Sequence, residues 1–313
     1  MPQNIKVLIS SMLKAVITGI VLATLFLFIH NSLPEYIYKI KSIIVKNPSF
    51  LPRSSQILVY SYDDGREVIR NAKDSISNTG EIKISASAYV VMDMDRKTIV
   101  LEKNADKLLP LASVTKLITA IIAKKLFDEN DYLEISKSAI DTYGNEAKFR
   151  EGESFGVKEL LYPLLMVSSN DAAEVLARQY GRAKFIKEMN NWVSSIGAYR
   201  TYFKDPSGLS PQNVSTARDL SIVTKWILEN DPEIFEITLL KSKTIRTHTW
   251  INPTHFLNLE SYAGGKNGYT PEAHRTGISL FKLGKQKRLF AVTLLGSDAR
   301  DDDILDLLDE AVR

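Results

Sequence analysis

The chain has no cysteine, so neither a disulfide framework nor a cysteine metal site is open to it. Its four histidines, His30, His248, His255 and His274, never fall at the close spacing of a helical zinc motif, so the sequence calls for no metal. Net charge is scarce too: +3 spread over 313 residues supplies no argument for nucleic acid as a partner. Internal repeats and low-complexity tracts are likewise missing. With 44% hydrophobic residues the chain can still bury a substantial core, which suits one large domain plus an appendage.

Charge is missing locally in two stretches. Residues 15–34 hold no Lys, Arg, Asp or Glu. About 20 such residues suffice to span a bilayer as a helix. A cleaved signal peptide is the rival reading, because Lys6 and Lys14 precede the apolar run. His30-Asn31-Ser32-Leu33-Pro34 offers no small-x-small cleavage site, which favours an uncleaved anchor. Lys6 and Lys14 on one side face Lys39, Lys41 and Lys46 on the other, so charge leaves the orientation open. The organisation expected is a tail and transmembrane anchor over 1–34, a juxtamembrane linker over 35–82, and a compact domain over 83–313. Within the linker, Asn47-Pro48 and Leu51-Pro52 break the chain, residues 57–62 could form a short strand, and Asn78-Thr79-Gly80 marks a turn.

The second stretch is 108–123, where Lys116 is the only formally charged residue. Val114, Leu117, Ile118, Ile121, Ile122 and Leu126 recur at helical spacing, predicting a helix sunk into a core. Ser113 and Lys116 are three apart and share a face of that helix. An ammonium buried there is costly unless it is paired or loses its proton, and burial lowers a lysine's pKa. A lysine so placed can take the hydroxyl proton and turn Ser113 into a nucleophile. Pro110 places Ser113 in the first turn, where free N–H groups and the positive helix end favour developing negative charge. The spacing alone is weak, since Ser11–Lys14 and Ser279–Lys282 share it.

Around this helix, residues 86–92 and 97–101 read as strands joined through Asp93-Met94-Asp95-Arg96. Helical patterns follow over 157–166, 172–180, 183–194 and 216–229. Strands return over 276–283 and 288–295, joined at Gly284-Lys285, and 304–312 is a closing amphipathic helix. Strands at both ends around a helical middle predict an α+β fold with an antiparallel sheet flanked by helices and a helical subdomain.

Two further motifs stand out. Ser168-Ser169-Asn170-Asp171 contains the only Ser-x-Asn in the chain, although Ser, Asn and Asp before Ala172 also make an ordinary helix N-cap. Gly264-Gly265-Lys266-Asn267-Gly268-Tyr269-Thr270 would let a ligand approach the backbone, or would be a glycine-rich loop with a solvated lysine.

In order, Ser-x-x-Lys, Ser-x-Asn and Lys-x-Gly resemble the signature of the active-site serine penicillin-recognising enzymes. Within them the chain is most similar to the D-alanyl-D-alanine carboxypeptidases of the low-molecular-mass penicillin-binding proteins, over residues 86–313. Glu102-Lys103-Asn104-Ala105-Asp106 leading into Pro110, Asp205-Pro206-Ser207-Gly208-Leu209, Ser215-Thr216-Ala217-Arg218-Asp219-Leu220 and Leu294-Leu295-Gly296-Ser297 extend the likeness.

The resemblance implies a β-lactamase/transpeptidase-like fold and a peptidase that needs neither cofactor nor metal. Ser113 would attack the carbonyl between two D-alanines of a peptidoglycan stem peptide and form an acyl-enzyme. Lys116 would be the base, Ser168 a proton relay, and Asn170 a ligand for the substrate amide and for Lys116. Lys266 would supply positive charge, Gly268 would line the substrate site, and the N–H groups of Ser113 and Tyr269 would form the oxyanion hole. β-Lactam antibiotics would be inhibitors. The family usually has Thr or Ser at Asn267, where a hydroxyl helps hold the substrate carboxylate, and a small glycine at His274. Arg300 would assist with the carboxylate, or be a solvated arginine beside Asp298 and Asp301.

Many relatives carry a C-terminal β-rich domain and membrane helix; here an N-terminal anchor is expected in their place. Peptidoglycan lies outside the membrane, so the resemblance implies a single-pass membrane protein with its catalytic domain extracytoplasmic. Two alternatives stay open, an endopeptidase acting on cross-links and a catalytically weakened wall-binding protein. A class A β-lactamase is disfavoured by the lack of a Glu-x-x-Leu-Asn segment.

Overall fold

The computed structural model describes residues 58–63, 66–71, 83–128, 131–144 and 146–312. The uncharged stretch over 15–34, expected to be the membrane anchor, and most of the expected linker lie outside the described residues. No helix among the described residues is long and apolar enough to cross a membrane. Within the expected linker, β1 (Leu58–Asp63) and β2 (Arg66–Asn71) form a two-stranded sheet, where the sequence suggested a single short strand.

The larger part of the fold is built on five antiparallel strands. These are β3 (Ala88–Asp93) and β4 (Thr98–Lys103), then β11 (Tyr262–Thr270), β12 (His274–Leu283) and β13 (Arg288–Ser297). Their spatial order is β11-β12-β13-β3-β4, so the last strands pair with the first. β12 and β13 are buried over six consecutive residues each, which fits strands covered on both faces. β4 and β11 are the two edges. β4 is largely exposed, whereas β11 faces the helical part of the protein and carries buried Lys266.

Between the two strand groups come short strands β5 (Leu109–Pro110), β6 (Tyr132–Glu134), β7 (Ser154–Gly156), β8 (Val214–Ser215), β9 (Ser242–Ile245) and β10 (His248–Ile251). The helices are α1 (Thr115–Leu126), α2 (Lys137–Ile140), α3 (Val157–Met166), α4 (Asn170–Tyr180), α5 (Arg182–Ser195), α6 (Ala217–Asn230), α7 (Glu233–Thr238) and α8 (Arg300–Val312). The α+β class read from the sequence is what the chain adopts. The β9–β10 hairpin and α7 were not foreseen.

α1 is the pivot. Thr115 through Ala123 are all buried, so this helix is surrounded on every side. Lys124 and Lys125 in its last turn suit the negative helix end, and Phe127 turns extended to stop it. Each fully buried Leu or Ile contributes about 1.5–3 kcal/mol. Leu117, Ile118 and Ile121 thus help to offset the several kcal/mol that burying the Lys116 amine costs. Ser113 does not sit in the first α-turn as the sequence suggested. It lies in a 3₁₀ turn, Ala112–Val114, that feeds α1. The short turn is shaped by its neighbours rather than by a capping side chain.

Candidate active site

Three segments converge on the Ser113 turn. The first is α1, which brings Lys116 one turn behind the serine. The Lys116 amine donates to Ser113 Oγ at 2.9 Å, to Asn170 Oδ1 at 2.7 Å and to the Ser207 carbonyl at 2.6 Å. Burial lowers its pKa to about 7, against the opposing pull of Asp205, Asp171 and Glu146. In its neutral form the amine has a lone pair, and the contact with Ser113 can reverse so that the hydroxyl donates.

The second segment is the start of α4. Ser169 caps this helix, its Oγ accepting from the Ala172 N–H at 2.9 Å. Both sequence readings of the motif are therefore realised, one residue apart: Ser169 caps, while Ser168 and Asn170 face the cluster. Ser168 has φ 60°, a left-handed conformation that costs a non-glycine residue on the order of 1–3 kcal/mol. Asn170 donates its amide to the Tyr143 carbonyl at 2.8 Å while its oxygen accepts from Lys116. The buried Asp171 is held above the usual carboxylate range by desolvation.

The third segment is β11. Lys266 donates to Ser168 Oγ at 2.9 Å and to the Asn267 carbonyl at 2.8 Å, closing the cleft from the sheet side. The glycine-rich stretch is a strand and not a loop. A Cβ added at Gly268 would come within 2.7 Å of the Ser113 nitrogen, so glycine is what lets β11 approach the turn. Tyr269 follows directly, which brings its backbone near that of Ser113. Burial holds Lys266 well below the ordinary lysine range, and the nearby Lys116 and Arg300 push the same way. The positive charge expected of Lys266 is thus favoured once an anion joins it.

Asn267 and Arg300 both border Gly277. A Cβ built on Gly277 would lie 3.0 Å from Arg300 Cδ and 3.4 Å from Asn267 Oδ1. Arg300 is paired with Asp301 at 2.7 Å and its side chain is only 14% exposed, so it is not the freely solvated arginine of the alternative reading. The Asn267 side-chain oxygen is buried without a hydrogen-bond partner. His274 lies at the exposed end of β12, its Nδ1 3.0 Å from Asp298 Oδ1.

One of the motifs that extend the family likeness also takes part in the site. The loop Asp205-Pro206-Ser207-Gly208-Leu209 lies against the Ser113 turn. Asp205 accepts from the Ser207 N–H at 2.7 Å, the Ser207 hydroxyl at 2.9 Å and the N–H groups of Gly208 and Ser210 at 2.6 Å each. The loop so tied presents the Ser207 carbonyl to Lys116, and the Pro206 carbonyl accepts from the Thr119 hydroxyl. Gly208 has φ 89°, and a Cβ there would fall 1.9 Å from the Ala112 oxygen. Ala112 itself has φ 47°, so strain is concentrated beside Ser113. Among the described residues no cluster of His, Cys, Asp and Glu could hold a metal ion.

The chain matches the family model described as D-alanyl-D-alanine carboxypeptidase over residues 73–298. It is similar to the D-alanyl-D-alanine carboxypeptidase DacF of Bacillus subtilis, 28% identical over 236 residues, with 71% of this chain and 60% of that protein covered. A D-alanyl-D-alanine endopeptidase of Escherichia coli is 32% identical over 194 residues, covering 59% of this chain and 60% of that one. The chain thus spans about 60% of the length of these curated relatives. Among solved structures it is similar to penicillin-binding protein D2 of Listeria monocytogenes in its ampicillin-bound form. That likeness has a TM-score of 0.64 at 26% identity and covers 74% of this chain and 99% of the other.

Proposed function

Because this chain belongs to the D-alanyl-D-alanine carboxypeptidase family, we propose that it is a serine peptidase that removes the terminal D-alanine from peptidoglycan stem peptides. The observation that carries this reading is the convergence of two hydrogen-bonded sets, Ser113–Lys116–Asn170 and Ser168–Lys266, with contacts of 2.7–2.9 Å, the two lysines close enough for their charges to interact. Neutral Lys116 takes the Ser113 proton as Oγ attacks the scissile carbonyl. The carbonyl oxygen, now negative, is held by the N–H groups of Ser113 and Tyr269. Ser168, between Lys266 and the cleft, passes a proton to the departing amine. Lys266, Asn267 and Arg300 hold the substrate's terminal carboxylate. Water then attacks the ester on Ser113, with Lys116 again as base, and frees the shortened peptide. β-Lactams acylate the same serine, a reading supported by the ampicillin-bound relative.

The experiment is to offer the full chain a stem pentapeptide and a cross-linked dimer and to measure free D-alanine and separated peptides. Release of D-alanine from the pentapeptide supports the carboxypeptidase. Cleavage of the dimer alone favours the endopeptidase, the second reading, which the E. coli relative motivates. Acylation by penicillin with no turnover of either substrate would leave only a wall-binding protein.

The protein is further proposed to be held in the cytoplasmic membrane through residues 15–29, with residues 83–313 outside, because an apolar span of sufficient length is followed by no small-x-small cleavage site. Protease added to intact spheroplasts should digest the catalytic domain. Its protection, or a mature N-terminus near residue 31, would refute the topology.

A further inference from the structure

Two cavities lie apart from the candidate active site, and one pair of side chains links them. The first, of about 430 Å³, is bordered by Leu108, Tyr199 and Tyr202. Tyr199 is 79% exposed, and Leu108 and Tyr202 are nearly half exposed. A single exposed aromatic is ordinary, but two tyrosines and a leucine around one hollow make an apolar surface shaped to receive something. The second cavity, of about 630 Å³, is bordered by Arg178, Arg182 and Lys204. Phe203 is fully buried, so its neighbours Tyr202 and Lys204 emerge together on the outer side of the chain. The Lys204 amine lies 5.7 Å from the centre of the Tyr202 ring, which joins the aromatic hollow to the cationic one.

The acids around the second cavity are mostly turned to internal tasks. Buried Glu174 accepts from Arg178 Nε at 2.9 Å and from Arg182 Nε and Nη2 at 3.0 Å, which sets the two guanidiniums side by side. Arg178 makes no other hydrogen bond among the described residues, so both its terminal amino groups are free to donate. Asp205 is buried and accepts from the N–H groups of its own loop. Asp141 is the exposed acid on this wall, against three cations. Neither Ser113, Lys116, Ser168 nor Lys266 borders either cavity. The connection to them is one loop long: Ser207 borders the second cavity, and its carbonyl accepts from Lys116.

We propose that the two cavities form a groove that binds a glycan strand bearing acidic groups, the peptidoglycan strand from which the stem peptides hang. The choice of polymer rests on the peptidase reading above. Sugar rings present flat C–H faces that pack on tyrosine rings, with hydroxyls at their edges for polar neighbours. Carboxylates spaced along the strand suit guanidinium forks and an ammonium. A concave path fits a strand, whereas a flat bilayer would not enter it.

The test uses the full chain and a short fluorescent glycan strand stripped of its stem peptides. Such a strand carries a lactyl carboxylate on alternate sugars and offers the cleft no D-alanine. Anisotropy should show binding that excess penicillin leaves unchanged. A neutral chitin oligomer of equal length should bind about threefold more weakly, the scale of an exposed ion pair. Tyr199→Ala should weaken binding of both strands by about fivefold or more, as loss of an aromatic anchor does, and Tyr199→Phe should keep it. Lys204→Gln should weaken the acidic strand alone, by about threefold. Unchanged thermal melting of these exposed-site variants checks folding. No binding of the acidic strand, binding abolished by penicillin, or binding indifferent to Tyr199→Ala overturns the groove. Equal wild-type affinity for the two strands overturns the role of the cations. Glycan binding without D-alanine release from a stem pentapeptide overturns the peptidase reading and leaves the groove standing.

Discussion

Lys116 and Lys266 are the same residue type, nearly equally buried, on opposite walls of one cleft, and their surroundings make them different reagents. Lys116 sits on a helix among acceptors, with Asp205, Asp171 and Glu146 at longer range partly offsetting its desolvation. It is held near neutrality, where it can gain or lose a proton. Lys266 sits on a strand with cationic neighbours, Lys116 and Arg300, and among the described residues no carboxylate pairs with it. Burial creates the tension in both. The sign of the neighbouring charge decides whether a lysine becomes a base or a receptor for an anion.

The largest effect that would sharpen this contrast is loss of the base. Lys116→Gln should slow acylation of Ser113 by penicillin by about 10²–10⁴-fold, the usual worth of a general base. Stopped-flow labelling measures it, and a loss below tenfold would assign the base elsewhere. Lys266→Gln should act differently, weakening binding of carboxylate-bearing peptides by roughly 10–100-fold while an ester or amide at the C-terminus changes little. Asn267→Ala should cut turnover of a D-Ala-D-Ala peptide by roughly tenfold, the scale of one hydrogen bond to a charged group. Asn267→Thr should keep or improve turnover by restoring the family's usual hydroxyl. If that change creates turnover where the wild type has none, the weakened binder is the right reading.

The pH dependence tests the assignment of Lys116. Below about 7 the Lys116 amine is protonated and has no lone pair, so acylation should fall as pH drops through that value and level off above it. The same shift acts on stability. Between about 7 and 10.5 the unfolded chain binds a proton at this lysine that the folded chain does not, so Lys116 makes stability rise with pH across that window. A rate profile flat from pH 5 to 9 would contradict the assignment of Lys116.

How much of this could be read beforehand depends on where the determining chemistry sits. Ser113 and Lys116 were legible because a lone charge in an apolar helix is a local pattern. The sheet was legible from apolar runs at both ends of the domain. Ser168 was harder, since Ser169 beside it is a true cap and the sequence cannot say which hydroxyl faces inward. The Asp205 loop carried a signal, an Asp before Pro-Ser-Gly, yet its task depends on the Ser207 carbonyl reaching Lys116 from 91 positions away. The β9–β10 hairpin went unforeseen although His248-Thr249-Trp250-Ile251 alternates, because Arg246-Thr247 lacks the usual turn residues. That Asn267 and Arg300 both border Gly277 is a matter of three-dimensional register, invisible in one dimension.

The central claim is that Ser113 is the nucleophile of a penicillin-sensitive peptidase. The most direct measurement is to incubate the full-length protein with a fluorescent penicillin, digest it, and map the labelled peptide by mass spectrometry. The account expects a single adduct on Ser113, lost in Ser113→Ala. Label on another residue, or none on a folded sample, would contradict it.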